Sequence, residues 1–410
     1  MLKKLLTVAV GTALTIFGVG GPLQAANLQI IASGLESPRG LTFGPDGALY
    51  VTEAGRGGAG PCIPAPGAGP NGPVVCYGNT GAITRIKNGT AERIVTGLPS
   101  IALPIPEFST AIDATGIHDI QFDSTGRAYA IFGLGSSPEQ RDQVLNVPEF
   151  GQLVAIDNLN GQVSLTTLAD LAEYEGLFNP DNNNSGFFNP YNDGIDSNPY
   201  AFLIKDDTAY IVDAAGNTFF KAKTDGSEFT LLSIFPERPI TDPFTGETIA
   251  MQSVPTSVAI GPDGAFYSSE FTGFPYPENA ARIFRLGTDN KPEVYADGFT
   301  QIIDIAFDDQ GGLYVLEYAT RSLAFDISPG LLSYIDPKGN RKAIISDGLL
   351  FPTALAIGPD GDIYISNQGY IPGRGQVVRV RVSVPEPNSL TGLLIFGIFG
   401  GVSLLLRQRK

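Results

Sequence analysis

The sequence has few of the residues from which several kinds of functional site are built. Its 410 residues include one histidine, two cysteines and no tryptophan. A single histidine excludes any metal centre held by several imidazoles, such as a three-histidine zinc site. Basic residues are also scarce, since 26 Lys and Arg stand against 42 Asp and Glu. Because no basic cluster occurs away from the chain ends, the sequence excludes nucleic acid as a partner, and its acidity favours cations.

Turn-forming residues, in contrast, are abundant. The chain contains 50 Gly and 31 Pro, and they separate short apolar runs. This pattern predicts many turns and few long helices. With 43% hydrophobic and 17% charged residues, the composition is that of a globular protein.

A hairpin pattern occurs six times along the chain. In three copies the turn is Gly-Pro-Asp-Gly, starting at Gly44, Gly261 and Gly358. Proline presets φ in this turn, aspartate caps it and the last glycine supplies a positive φ. A tyrosine marks each copy: Tyr50, Tyr129, Tyr210, Tyr267, Tyr314 and Tyr364. A second, weaker hairpin follows the first, so each unit predicts a four-stranded sheet. Six such units predict an all-β, six-bladed β-propeller with blades like those of NHL and gluconolactonase propellers.

The sixth unit lacks a fourth strand. The mature N-terminus supplies one, "NLQIIASGL" (27–35), which we expect beside residues 377–382, closing the ring without an open edge. The predicted propeller body is 27–382, and its blades are 38–98, 116–171, 198–235, 254–299, 301–349, and 351–382 with 27–35.

Both chain ends are predicted to direct export. Residues 1–25 have the basic start, apolar run and small-residue end of a secretory signal peptide. In the tail, 384–410, an apolar segment (390–406) is long enough for a transmembrane helix, and basic residues follow it. The tail resembles the PEP-CTERM sorting signal, and the matching residues are Pro385, Glu386, Pro387, Arg407 and Arg409. The resemblance implies processing by signal peptidase and an exosortase-type protease. A membrane-anchored precursor would then reach the cell surface, the periplasm or the extracellular matrix.

The two cysteines, Cys62 and Cys76, enclose a Gly- and Pro-rich loop. In an exported chain such a pair is predicted to form a disulfide. A bridge that closes about 15 residues contributes roughly 3 kcal/mol in the chain-entropy model.

The repeat places the starts of the inner strands around one channel mouth. The predicted ligand-binding residues there are Arg39, His118, Asp119, Tyr200, Ser257 and Asp304. Asp119 and Asp304 occupy equivalent positions in opposite blades, so we expect both to point across the channel. His118 has two interpretations, a hydrogen-bonded lining residue or a catalytic base.

Three residues after the landmark tyrosines stand four acidic residues, one asparagine and, in the second copy, Phe132. Together with the channel aspartates, the candidate metal ligands are Glu53, Asp119, Asp213, Glu270, Asp304, Glu317 and Asn367. Carboxylates gathered around a mouth suit Ca²⁺, which takes six to eight oxygen ligands. The alternative is that each strand-end residue caps its own turn by accepting backbone N–H bonds.

Two insertions rich in aromatic residues are expected on the same face. One is 173–200, which we expect to fold as a cap, and the other is 270–284. Exposed aromatics beside amides suit stacking on sugar rings or on a planar aromatic ligand.

The chain resembles the ScyD/ScyE family of exported propellers, whose name comes from gene clusters for the pigment scytonemin. The matching stretches include "SPRGLTFGPDGALYVTEAGRGG" (37–58), "GIHDIQFDSTGRAYAIFGLG" (116–135), "VDAAGNTFFKAKTDG" (212–226) and "MQSVPTSVAIGPDGAFYSSEFTGFPYP" (251–277). The resemblance spans about 27–382. It implies a six-bladed propeller with a role around an extracellular pigment or matrix, and it assigns no catalytic residue.

Two functions follow. The favoured one is a non-enzymatic binding or scaffold protein of the cell surface or matrix, with polysaccharide or a small aromatic molecule as ligand. The alternative is a periplasmic enzyme acting on sugars or lactones. The stretch "HDIQFDSTGRAY" (118–129) resembles quinone-dependent sugar dehydrogenases, which implies His118 as base and Arg39 as an anion partner. A resemblance to metal-dependent lactonases would instead make Glu53, Asp213 and Asn367 the ligands.

Overall fold

The structure is a computed structural model, and it describes residues 28–66, 72–105, 110–159, 161–182 and 194–382. The predicted signal peptide, the sorting motif and the apolar segment 390–406 lie outside these residues. Among the described residues, none of the helices has both the length and the apolar character needed to cross a bilayer.

In the first half of the chain, the described residues form one short α-helix, one π-helical turn (Gln140–Leu145) and eleven strands. The strands are β1 (Leu28–Leu35), β2 (Pro38–Phe43), β3 (Leu49–Glu53), β4 (Cys62–Pro64), β5 (Val74–Lys87), β6 (Thr90–Ile105), β7 (Thr110–Thr115), β8 (Ile117–Phe122), β9 (Ala128–Phe132), β10 (Gln152–Asp157) and β11 (Ser164–Asp170), and the helix is α1 (Leu171–Phe178).

The second half is built of strands. They are β12 (Pro199–Lys205), β13 (Thr208–Asp213), β14 (Thr218–Lys223), β15 (Phe229–Ile234), β16 (Arg238–Thr241), β17 (Thr248–Met251), β18 (Pro255–Ile260), β19 (Phe266–Glu270), β20 (Ala281–Leu286), β21 (Pro292–Phe299), β22 (Ile302–Phe307), β23 (Leu313–Glu317), β24 (Leu331–Ile335), β25 (Arg341–Ile345), β26 (Ala354–Ile357), β27 (Ile363–Asn367) and β28 (Gly375–Val380).

Apart from the two-stranded β16–β17 hairpin, the described strands form six antiparallel sheets, whose innermost strands are β2, β8, β12, β18, β22 and β26. Each innermost strand contacts the innermost strand of the next sheet, and β26 contacts β2 again. The six sheets therefore close into a ring. The prediction of an all-β, six-bladed β-propeller is confirmed, whereas its transmembrane helix lies outside the described residues.

The N-terminal strand completes the sixth blade. β1 pairs with β28 in antiparallel register, from Leu28 opposite Val380 to Leu35 opposite Gly375. Blade 6 therefore has the order β1-β28-β27-β26, with one strand from the start of the chain and three from its end. The described structure closes the ring at this point, because the chain's first strand covers the edge that β28 would otherwise expose.

The repeated sequence pattern has a local cause in the turns. In the first turn, the Gly47 N–H donates to the Gly44 carbonyl at 2.9 Å, and Gly47 adopts a φ of 71°. The landmark tyrosine donates a hydrogen bond to the aspartate of the turn. The Tyr364 hydroxyl lies 2.9 Å from Asp360 Oδ2, and the Tyr129 hydroxyl lies 2.9 Å from Asp123 Oδ2. Turn aspartate and landmark tyrosine thus bond each other in these two hairpins, whereas in blade 5 the turn aspartate, Asp308, accepts the hydroxyl of Tyr334 from the third strand at 2.9 Å.

The apolar core lies between neighbouring blades rather than in one central mass. Between blades 1 and 2, for example, Tyr50 and Ile83 pack with Ile120 and Val154. The alternating strand pattern produces this arrangement, because successive side chains point to opposite faces of each sheet and both faces are covered by a neighbour. The channel on the axis is therefore left to the residues at the starts of the inner strands.

Blade 1 departs from the simple four-stranded plan. Strands β5 and β6 are 14 and 16 residues long and extend beyond the blade, where β7 pairs with β6 and β4 pairs with β5. Cys62 and Cys76 face each other across β4 and β5 and form a disulfide, so the predicted bridge is confirmed. This extension brings β7, and with it Asp113, over the channel.

Candidate functional site

The six inner strands surround two cavities on the ring axis. The upper chamber, at the end where the inner strands begin, has a volume of about 190 Å³. The lower chamber, further along the strands, has a volume of about 130 Å³. The side chains that line both chambers, and so form the layer between them, are His118, Tyr200, Thr256, Ile303 and Thr353.

The lower chamber contains Asp119, Ser257 and Asp304. Asp119 accepts the Phe202 N–H of blade 3 at 3.2 Å, and Asp304 accepts the Leu355 N–H of blade 6 at 2.7 Å. Each aspartate thus bonds the inner strand of the following blade. The Ser257 hydroxyl donates to Asp304 at 2.5 Å from the preceding blade.

Burial is the main reason why the pKa values of these two aspartates are raised. It raises the pKa of Asp119 to about 7 and that of Asp304 to about 6, against the hydrogen bonds that lower both. The charge of Asp304 adds to the rise in the pKa of Asp119, which places the two carboxylates in one shared environment. Their bonds to neighbouring strands indicate that they hold blades together.

Arg39 lies in the wall of the upper chamber and is 8% exposed. Its guanidinium donates to three backbone carbonyls: Gly369 at 2.8 Å, Ala114 at 2.5 Å and Pro38 at 3.3 Å. It therefore ties blade 6 and β7 to the first blade. Two of its nitrogens are engaged by these bonds, which makes the side chain a poor partner for an anionic ligand.

His118 lies between the chambers and is held in one tautomer. Its Nδ1 lies 3.0 Å from the Pro199 carbonyl, which can only accept, so Nδ1 carries the proton and Nε2 is the acceptor. No described residue bonds to Nε2. Burial, followed by the nearby positive charge of Arg39, lowers the pKa of His118 to about 3. The imidazole is therefore neutral at ordinary pH.

Asp113, on β7, is a site residue that the sequence did not predict. Its backbone lies in the left-handed region, with φ at 53°, and its N–H donates to the Tyr370 carbonyl at 3.0 Å. The residue is accessible to water although protein surrounds it on many sides, as expected in the mouth of a chamber. Burial raises its pKa, and Arg39 opposes the rise. Among the described residues, no side chain hydrogen-bonds to its carboxylate.

Aromatic side chains surround this carboxylate. The negative charge of Asp113 contributes to the raised pKa values of four tyrosines, which therefore lie near it: Tyr200, Tyr276, Tyr318 and Tyr370. Phe271 lines the same chamber, and its ring lies 5.6 Å from that of Tyr318. The upper chamber thus combines aromatic walls with two unengaged acceptors, the Asp113 carboxylate and His118 Nε2.

The predicted ring of strand-end metal ligands is not formed, and this expectation is corrected. Glu53, Glu270 and Glu317 are each buried and each bonded to arginine within their own blade. Glu53 Oε2 also accepts the Glu36 N–H at 2.6 Å, and Glu317 Oε1 accepts the Thr300 N–H at 2.6 Å. These acids fix the chain as it enters the inner strand.

The two remaining strand-end candidates behave in the same way. Asn367 Oδ1 accepts the Leu350 N–H at 2.8 Å, and Asp213 Oδ1 accepts the Asn198 N–H at 2.7 Å. Within the described ranges, no three acidic, histidine or cysteine side chains are close enough as they stand to hold a metal ion. The alternative interpretation, that strand-end acids accept backbone N–H bonds, describes these residues.

The two predicted aromatic insertions have different outcomes. In the first, residues 183–193, including Phe187, Phe188 and Tyr191, lie outside the described residues, and 171–178 form α1. In the second, Phe271 lines the upper chamber, while Phe274 stacks at 5.8 Å on Phe244 of the β16–β17 hairpin. Phe244 in turn contacts Phe325 at 5.2 Å, and both are more than half exposed. We call Phe244, Phe274 and Phe325 the exposed aromatic patch.

Comparison with known proteins found no matching family model and no matching curated protein. Solved structures with a similar fold include a gluconolactonase from Xanthomonas campestris, at 11% identity and a TM-score of 0.49, with 88% of this chain and 91% of that chain covered. A putative glucose dehydrogenase from Thermus thermophilus matches at 15% identity and 0.49, covering 87% and 100%. A PQQ-bound aldose sugar dehydrogenase from Streptomyces coelicolor matches at 14% and 0.48, covering 88% and 99%. At such values these likenesses carry no argument about a ligand or a reaction.

Proposed function

We propose that this chain is an exported propeller that binds a small, hydroxyl-rich ring compound in its upper chamber and does not transform it. The observation that carries the proposal is the chamber itself. Asp113 and His118 Nε2 offer acceptors that no described side chain bonds, and Tyr200, Phe271 and Tyr318 supply aromatic walls around about 190 Å³. Pockets of this type, apolar walls with a few placed polar groups, are typical of small-molecule sites.

The ligand class follows from the chemistry of the lining. The Asp113 carboxylate and His118 Nε2 are acceptors, so they favour a ligand that donates hydrogen bonds from O–H or N–H groups. The aromatic walls favour a ligand that presents the face of a ring. A single sugar residue of an extracellular polysaccharide has both features. A phenolic ring of a pigment has both as well. The shared chemistry is a ring with several hydroxyl groups, and a binding assay separates the two sources.

The cellular setting of the proposal is the outer surface of the cell. The signal peptide 1–25 and the tail 384–410 support export and sorting, and the Cys62–Cys76 disulfide is compatible with an oxidising compartment. The resemblance to the ScyD/ScyE family supports a role beside an extracellular pigment or matrix. We place the working protein at the cell surface, in the periplasm or in the extracellular matrix.

One observation favours the alternative, an enzyme acting on sugars or lactones. His118 is fixed in the tautomer that a general base needs, with Nε2 available. However, its pKa of about 3 makes it a weak proton acceptor, because a base works best when its pKa lies near the working pH. An anionic quinone would meet one arginine in the chamber, Arg39, which three carbonyls already engage. Binding without turnover therefore fits the residues better.

The direct test is isothermal titration calorimetry of the detergent-solubilised full chain. One series uses neutral monosaccharides and the other uses mono- and dihydroxylated aromatic compounds. We expect binding by at least one series, weakened about tenfold or more by Asp113→Asn, since loss of one charge-assisted hydrogen bond costs roughly 1.5–3 kcal/mol.

The matched control is Phe244→Ala, which removes an exposed aromatic outside the chamber and should leave the affinity unchanged. Two results would overturn the proposal. One is that affinity falls with Phe244→Ala but not with Asp113→Asn. The other is turnover of a sugar or lactone that His118→Gln abolishes while ligand binding remains.

A further inference from the structure

Further aromatic rings connect the upper chamber to the exposed aromatic patch. Phe271 and Tyr318 both line the chamber, and their ring centroids lie 5.6 Å apart. The ring of Tyr276 lies 6.2 Å from that of Phe271 and 6.3 Å from that of Phe274, which belongs to the patch. The connected rings, which we call the aromatic track, are Tyr318, Phe271, Tyr276, Phe274, Phe244 and Phe325.

The rings of the aromatic track are accessible to solvent. Phe244 and Phe325, at its outer end, are 59% and 63% exposed, and the other four residues are partly exposed. Ile327, beside the outer end, is 68% exposed. Contact between apolar surface and water is unfavourable, and a contiguous exposed apolar surface marks an interaction site. The track therefore indicates a binding surface that continues from the chamber to the rim of the propeller.

The hairpin that carries Phe244 is held in place at both ends. Strands β16 and β17 form a two-stranded sheet of their own, apart from the six blades. At the base of this hairpin, Arg238 Nη2 lies 3.3 Å from Glu270 Oε2 of blade 4. At its tip, Asp242 is buried and accepts the Phe244 N–H at 2.8 Å. The position of the Phe244 backbone is thus fixed before any ligand binds.

The loops that carry Phe274 and Phe325 are joined to each other. The Ser322 hydroxyl donates to the Pro275 carbonyl at 2.7 Å, and the Phe325 N–H donates to the Ser322 carbonyl at 3.1 Å. A surface that is ordered in advance loses less conformational entropy on binding than a mobile one. The outer part of the track therefore suits a ligand that stacks on rings already in position.

The charges beside the track decide between neutral and charged ligands. In the three segments that carry its outer part, 242–247, 271–280 and 318–330, the exposed charged residues are Glu247, Glu278, Asp326 and Arg321. Arg321 is paired with Asp326 at 3.1 Å, so the net charge of this rim is negative. A negative rim repels an anionic chain. A neutral ligand is therefore favoured.

The arrangement of the rings favours a chain-like ligand. The ring contacts run in a row from Tyr318 in the chamber wall to Phe325 at the rim. A linear polysaccharide presents a ring with an apolar face and several hydroxyl groups in every unit. Successive units can therefore stack on successive side chains of the track.

We propose that the upper chamber and the aromatic track form one extended site for a neutral linear polysaccharide, with the end of the chain in the chamber and the following sugar rings along the track. This inference rests on the proposed function, because it assigns the hydroxyl-rich ring in the chamber to a polysaccharide end. Asp113 and His118 Nε2 then accept hydrogen bonds from the terminal sugar, and the track binds the next units.

The test is calorimetric titration of the full chain in a detergent whose head group contains no sugar. It compares glucose, mannose and galactose with their linear β-1,4-linked tetramers. We expect at least one tetramer to bind at least tenfold more tightly than its monosaccharide, because the tetramer reaches the track and the monosaccharide occupies the chamber alone.

The variants separate the two parts of the site. Phe244→Ala and Phe325→Ala, in different loops, should each weaken tetramer binding at least fivefold and change monosaccharide binding less than twofold. Phe244→Tyr keeps the ring and should keep the affinity for the tetramer. Phe178→Ala is the matched control, because it removes a phenylalanine that is 64% exposed outside the track. Asp113→Asn should weaken the binding of both ligands.

The outcomes distinguish this inference from the proposed function. If monosaccharides bind through Asp113 but their tetramers bind no more tightly, or if hydroxylated aromatic compounds alone bind, the polysaccharide site is overturned and the chamber function stands. If the tetramer binds through Phe244 independently of Asp113, both are overturned. Self-association of the parent that Phe244→Ala abolishes would show that a second copy covers the exposed aromatic patch, and it would also overturn the polysaccharide site.

Discussion

Replacing Arg93 with methionine should destabilise the propeller by leaving the buried Glu53 without its cation. The Arg93 guanidinium contacts both carboxylate oxygens of Glu53, with Nε at 2.9 Å from Oε1 and Nη2 at 2.7 Å from Oε2. Glu53 is fully buried, whereas the Arg93 side chain is 38% exposed. Methionine retains much of the stem but none of the charge.

The magnitude follows from this geometry. Breaking a buried ion pair by removing one partner costs about 3–5 kcal/mol. Solvent screening at Arg93 lowers that figure, and Glu53 keeps its bonds from the Glu36 N–H and the Thr84 hydroxyl. We therefore expect a loss of about 2–3 kcal/mol in the free energy of unfolding. With an unfolding entropy of about 2.1 cal/mol/K per residue, a body of this size should unfold roughly 3–4 °C earlier.

The assay is chemical and thermal unfolding of the parent, Arg93→Met and the double variant Glu53→Gln/Arg93→Met. The double variant should recover part of the loss, because a neutral amide can stay buried in place of the charge. Arg56→Met is the control: its ion pair with Glu36 is 3.4 Å long and Arg56 is 59% exposed, so the change should stay below about 1 kcal/mol. If Arg93→Met lowers the free energy of unfolding no more than Arg56→Met does, the view that the strand-end acids and their arginines stabilise the blades is refuted.

Three further predictions concern the channel and the disulfide. The pKa of Asp119 is raised from 3.8 to about 7 in the folded chain. Its contribution to the free energy of unfolding should therefore fall by at most about 4 kcal/mol as the pH rises from about 4 to 8. When unfolding is measured against pH, Asp119→Asn should lose less stability than the parent over that range. A Cβ at Gly133 would overlap the His118 ring, so Gly133→Ala should displace this ring. We expect the variant to weaken ligand binding in calorimetry under conditions where it is still folded. Reduction of Cys62–Cys76 should lower the free energy of unfolding by roughly 3 kcal/mol, whereas a Cys62→Ser/Cys76→Ser variant should not respond to the reductant.

The ring itself could be predicted from the sequence because its determinants are local. Turn residues such as Asp360 and landmark tyrosines such as Tyr364 lie four positions apart and bond each other, so the pattern and the structure coincide. The closing strand could be predicted as well, since the missing fourth strand of the last blade and the spare first strand are both visible in the sequence.

The partners of the strand-end acids could not be predicted, because they lie at different distances along the chain. Arg93 follows Glu53 by 40 residues, and Arg341 follows Glu317 by 24, whereas Arg282 follows Glu270 by 12 and lies on the third strand of its blade. No fixed spacing identifies the arginine, so the acids alone suggested a metal site.

Asp113 was missed for a different reason. It lies on β7, part of the extension of blade 1 that belongs to no repeat, and its position over the channel depends on long-range pairing with β6. The one local signal is its left-handed backbone, which a sequence does not reveal for an aspartate between Ile112 and Ala114.

The most direct test of the account is a structure of the full chain determined with the tightest ligand from the calorimetric series. We predict that the ligand lies in the upper chamber, with hydroxyl groups donating to the Asp113 carboxylate and to His118 Nε2 and a ring face against Tyr200, Phe271 or Tyr318. A ligand bound at the exposed aromatic patch or in the lower chamber, with the upper chamber empty, would contradict the account.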